Sequence, residues 1–82
     1  MTAYRQDALR CVAVLHESGP TKAANVARLT GVEKARRLMA DDHYGWFERT
    51  GTGIYALSPK GEAAVAEYSE QIAALGGQPQ RG

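Results

Sequence analysis

The hydrophobic positions at the start of the chain recur at helical spacing. Leu9, Val12, Ala13 and Leu15 share one stripe, with Asp7, Arg10 and Glu17 mostly off it, which predicts a helix over roughly Tyr4 to Glu17. Ser18-Gly19-Pro20 stops that helix, since glycine suits the C-terminal cap and proline cannot continue the ladder. Thr21 can then cap a short second helix over Lys22 to Leu29, with Ala24, Val26 or Ala27, and Leu29 turned inward. Thr30-Gly31-Val32 is a tight break. A third helix is predicted from Glu33 to Asp41, with Ala35, Leu38 and Met39 as its inward stripe.

Beyond Asp41 the period changes from helical to alternating. "WFER" and "IYAL" read as two strands around the hairpin tip "TGTG". Alternation should send Trp46 and Phe47 to opposite faces, one into the core and one over an edge. Ser58 is a natural helix cap and Pro59 suits a first helical turn, so "SPKG" starts a last helix running to about Leu75. Val65, Tyr68, Ile72 and Leu75 form its apolar stripe, and the half from Tyr68 onward is expected to extend past the body. Residues 1–75 therefore form one domain, and 76–82 is expected to be a disordered polar tail.

The order is helix, helix, helix, strand, strand, helix. The expected fold class is α+β, mainly α: a winged helix-turn-helix with three helices, a two-stranded wing hairpin and a C-terminal helix. The junction "GIYALSPKGEAAV" resembles one recurrent in bacterial winged-helix proteins. Together, "RQDALRCVAVLHESGPTKAANVARLTGV" and "HYGWFERTGTGIYALSPKGEAA" resemble the C-terminal segment of a bacterial family of unknown function. In that family the segment often follows a larger domain similar to a PD-(D/E)XK nuclease. The resemblance implies that this chain is either an excised domain or a stand-alone relative, for no such catalytic motif occurs in its 82 residues.

Composition narrows the class without naming a function. A chain with 44% hydrophobic and 23% charged residues has the make-up of a small soluble domain. It lacks an apolar run long enough for a membrane span and an apolar centre for a secretion signal. The single cysteine, Cys11, excludes an internal disulfide and fits a cytoplasmic location; it is expected as a small buried residue. Net charge is only +1, but its distribution is uneven: Pro20 to Lys60 carries +3, and Gly61 to Leu75 carries −3.

Candidate chemistry divides accordingly. Arg36 and Arg37 on the third helix could pair with guanine edges or hold phosphates, with Lys34 and Lys22 as further backbone contacts. Arg49, Thr50 and Thr52 at the hairpin could reach adjacent backbone, although the wing carries little charge. Asp41, Asp42 and His43 suggest a metal or catalytic cluster, but the only other histidine is His16, and no nucleophile or carboxylate pair completes a site. Tyr44, Trp46, Phe47 and Tyr55 read first as core. The expected function is a non-catalytic winged-helix DNA-binding domain, with residues 33–41 in the major groove. It would serve a larger nuclease-like protein or act as a small transcriptional regulator. The alternative is an interaction or dimerisation module without DNA binding. No enzyme activity, cofactor or metal is expected. The expected partners are double-stranded DNA and, through Tyr68, Ile72 and Leu75, a second copy or a larger docked domain; no membrane is expected.

Overall fold

The computed structural model describes residues 2–76. Its element order is α1 (Ala3–Ser18), β1 (Thr21–Lys22), α2 (Ala23–Thr30), α3 (Ala35–Asp41), β2 (Phe47–Gly51), β3 (Ile54–Leu57), α4 (Pro59–Glu67) and α5 (Ser69–Gly76). The fold is α+β and mainly helical, in an arrangement compatible with a winged helix. The expected tail lies almost wholly outside the described residues.

Local chemistry sets most of the boundaries. The Thr2 hydroxyl accepts from the Arg5 N–H at 3.1 Å and starts α1, while Gly19, at φ 73°, ends it by donating to the Leu15 carbonyl. Thr21 does not cap the second helix as its position suggested. Its hydroxyl donates instead to the Gly19 carbonyl at 2.8 Å, and its backbone enters a strand. Between α2 and α3, the Thr30 hydroxyl donates to the Val26 carbonyl at 2.7 Å and accepts from the Val32 N–H at 3.1 Å. Gly31 takes the left-handed conformation there, and α3 begins two residues later than expected, at Ala35.

The hairpin gains a third strand. The sheet order is β1-β3-β2, antiparallel throughout, with Thr21 opposite Tyr55 and Lys22 opposite Ile54. A bulge between Arg49 and Gly51 twists β2, and the Ala23 N–H donates to the Gly53 carbonyl at 2.8 Å. The hairpin tip is thereby fastened to the start of α2, so β1 joins the sheet to the paired helices.

One core gathers these elements. Ala8, Leu9, Cys11, Val12 and Leu15 of α1 pack with Val26, Val32, Ala35, Leu38, Met39, Trp46, Phe47, Tyr55 and Leu57. Two positions of the expected α2 stripe differ: Ala24 is exposed and Leu29 is 56% exposed, while Ala23 and Val26 are buried. Trp46 and Phe47 are both buried, because Trp46 precedes β2 and is not bound by strand alternation. The last helix also divides. Tyr68 leaves helical geometry (φ −111°, ψ 29°), its ring meets Trp46 edge-on at 5.6 Å, and α5 turns back onto α1.

Candidate functional site

Asp41, Asp42 and His43 stand at the end of α3, where three potential ligands follow one another in the chain. The fold sends them in different directions. Asp42 adopts the left-handed conformation (φ 49°), and its Oδ1 accepts from the Phe47 N–H at 3.1 Å. It therefore closes the turn into β2, and aspartate tolerates this backbone better than most residues. Asp41 faces Arg37 one turn back, with Nε to Oδ2 at 3.8 Å and both side chains exposed. His43 packs its ring against Tyr4 at 5.2 Å, edge to face. His16 occupies the opposite end of α1, roughly 18 Å from Tyr4 at helical rise. Among the described residues no three His, Cys, Asp or Glu side chains are placed to hold a metal ion.

The aromatic residues form one connected group. Tyr44 stacks on Trp46 at 4.4 Å with an interplanar angle of 21°, Tyr68 meets Trp46 edge-on, and Tyr4 approaches Tyr44 at 5.9 Å. The Arg5 guanidinium lies 5.7 Å from the Tyr44 ring centroid and 5.8 Å from that of Tyr68. Neither Tyr4 nor Arg5 stood out in the sequence, since both meet their ring partners only once α1 packs beside the α3–β2 turn and the α4–α5 bend. This assembly joins the first turn of α1, the α3–β2 turn and the α4–α5 bend. Its rings serve packing.

The expected cation set is exposed throughout: Lys22, Lys34, Arg36, Arg37 and Arg49, with Thr50 and Thr52 exposed at the hairpin. Their grouping is tertiary. Lys34, Arg36 and Arg37 surround the start of α3, whose buried stripe of Ala35, Leu38 and Met39 turns the basic residues outward. Lys22 lies on β1 against β3, and Arg49 on β2 at the other edge of β3, so the two flank the hairpin from opposite edges of the sheet. The register sets Thr21, Tyr55 and Arg49 in one row and Lys22, Ile54 and Gly51 in the next, so Lys22 and Arg49 leave the sheet on opposite faces.

Between α3 and β2 runs an open groove of about 260 Å³, lined by Met39, Ala40, Asp42, Phe47, Glu48, Arg49 and Tyr55. Met39, Phe47 and Tyr55 form a buried floor, and the rim carries two carboxylates against one guanidinium. The groove is wide and mixed in charge, unlike an enclosed catalytic pocket.

Tyr68, Ile72 and Leu75 do not project from the body. All three are half-buried against the protein's own core, because the bend at Tyr68 lays α5 along α1. Cys11 is fully buried, and burial pushes its thiol up to about 12, with Asp7 adding to the shift. No helix among the described residues is long and apolar enough to cross a membrane.

Comparison with known proteins supplies what the geometry leaves open. No curated protein and no solved structure matches the chain. Residues 1–64 match a family model described as "Putative PD-(D/E)XK phosphodiesterase (DUF2161)". That match overturns two expectations drawn from the sequence, that the protein is a non-catalytic DNA-binding or interaction module and that it is no enzyme. Those expectations rested on the missing catalytic constellation, and a constellation missing from 82 residues does not remove the family's chemistry. By a match that covers most of its length, the chain belongs to the DUF2161 family, which carries that description.

Proposed function

We propose that the protein acts in the hydrolysis of phosphodiester bonds in nucleic acid. The family match is the observation that carries this reading. The signature in the family's description sets acidic residues beside a lysine. Such carboxylates hold a divalent cation that polarises the phosphate and activates water. The residues present here do not fit that group. No aspartate follows a proline in the sequence, and no acidic residue stands two positions before any of its three lysines. Asp42 is committed to the Phe47 N–H, Asp41 faces Arg37, and His43 packs on Tyr4.

The role proposed for the described segment in that reaction is to hold duplex DNA. Helices α2 and α3 with their glycine turn correspond to a helix-turn-helix, and β2–β3 to a wing. Lys22, Lys34, Arg36 and Arg37, with Thr50 and Thr52 at the hairpin tip, supply the backbone contacts. Because these cations displace counterions, affinity should fall steeply with salt.

A cleavage assay on supercoiled plasmid with magnesium or manganese tests both parts. The product of the complete reading frame, whatever its length, is expected to cut, and residues 1–82 alone to bind duplex DNA. Intact plasmid after incubation with the complete product would refute the hydrolytic reading. Cutting by residues 1–82 that disappears in Asp41→Asn or Glu48→Gln would place the reaction inside this segment instead.

A further inference from the structure

We infer that nucleic acid meets this segment at the corner between α2 and α3, through Arg28 together with Lys34, Arg36 and Arg37, and is held off the α3–β2 groove. The inference rests on the proposed nucleic-acid substrate and specifies which half of α3 it touches. The exposed charge on α3 changes sign along the helix. Lys34, Arg36 and Arg37 surround its start, and Asp41 and Asp42 stand at its end. The groove beside that end adds Glu48 to Asp42, against Arg49 alone. A carboxylate repels a phosphate as strongly as a guanidinium at the same distance attracts it, so a strand laid along the whole of α3 would lose at one end much of what it gained at the other.

Arg28 extends the favourable end. It lies in the last turn of α2 and is exposed, and its guanidinium donates to Asn25 Oδ1 at 3.0 Å, which holds it on the helix surface. The left-handed Gly31 turns the chain from there to Lys34, so Arg28 and Lys34 flank one corner. The acid on that corner is Glu33, against four cations. Arg37 shares its charge with Asp41, which leaves Arg28, Lys34 and Arg36 as the main anchors.

Two single-cysteine attachments separate the halves of the helix. Glu33→Cys and Ala40→Cys are both at exposed positions, whereas the native Cys11 is fully buried and takes no label. Each variant, carrying a tethered iron chelate that generates hydroxyl radicals, is bound to a short mixed-sequence duplex. Strand scission from position 33 is expected to exceed that from position 40 by about ten-fold, the distance between the two ends of the helix being roughly 10 Å. Arg28→Ala is expected to reduce the salt slope of binding by about one.

Equal or stronger scission from position 40, or none from position 33 while the duplex stays bound, would overturn the inference. An unchanged isotherm and salt slope in Arg28→Ala would remove Arg28 from it. If the unmodified segment binds no duplex at any salt concentration, the proposed substrate itself fails, and the binding isotherm shows this before any chelate is attached.

Discussion

The turn from Asp42 to Gly61 and the corner between α2 and α3 lie on either side of the same short helix and are held by opposite means. In the turn, polar groups of Asp42, Gly45, Trp46, Phe47, Ser58 and Gly61 bond to one another across the segment. Asp42 accepts from the Phe47 N–H, the Ser58 hydroxyl donates to the Gly45 carbonyl at 2.6 Å and accepts from the Gly61 N–H at 3.0 Å, and the Ser58 N–H donates to the Trp46 carbonyl at 2.9 Å. At the corner the side chains are exposed and their bonds are short-range, as in Arg28 to Asn25 and Arg37 to Asp41. Residues that build the fold are over-determined by their neighbours, whereas residues that meet a polyanion must keep their charge in water until it arrives. Within the acidic stretch at the end of α3, Asp42 is tied into the architecture by its bond to Phe47.

The largest expected effect lies in the turn. A methyl group at Gly61 would collide with the Trp46 carbonyl oxygen, which is backbone and cannot swing away. Gly61→Ala should therefore cost about 3 kcal/mol or more and lower the thermal midpoint by more than about 10 °C. A midpoint within a few degrees of the parent would show that the turn is looser than its bonding implies. Next, Asp42→Ala loses both the left-handed tolerance and the bond to Phe47, and should cost about 1–2 kcal/mol by urea unfolding. Asp42→Asn keeps both and should cost less than half as much. Equal losses in the two would mean that the charge, and not the cap, matters at this position.

Cys11 gives a smaller effect on the core that both regions share. Its thiol is held above its ordinary value of 9.0, so between pH 9 and about 12 the unfolded chain loses this proton while the folded chain keeps it. The contribution to stability is complete below pH 9 and falls as pH rises toward 12, by at most about 1.4 kcal/mol per pH unit. Urea titrations at pH 8 and pH 10 should show a steeper loss for the parent than for Cys11→Ala. Parallel curves would mean that the thiol is reached by water. On the exposed face of α3, Arg37→Ala or Asp41→Ala should change stability by less than about 0.5 kcal/mol, since an exposed pair one helical turn apart contributes little. A loss above about 1 kcal/mol in either variant would erase the contrast between the two regions.

Elements fixed by local chemistry were legible from the residues. Gly19, Gly31 and the Ser58-Pro59 cap mark helix ends wherever they occur, and the inward stripe Ala35, Leu38, Met39 is buried as its spacing predicts. The hairpin followed from alternation around "TGTG". Its third strand did not, because Thr21 and Lys22 are too few to carry a period and become a strand only when β3 lies beside them. The bend at Tyr68 was hidden for a similar reason. An apolar stripe is the same for a straight helix and a broken one, and the rings of Trp46 and Tyr44 decide between them.

The candidate site divides along the same line. The sequence by itself determined which cations exist, that they cluster before Asp41, and that no PD-(D/E)XK signature lies among them, because these follow from residue identity and order. The tertiary structure decided which of them share a surface. It placed Lys22 beside the hairpin, committed Asp42 to a backbone amide and folded α5 onto α1, because these arrangements depend on contacts between residues far apart in the chain.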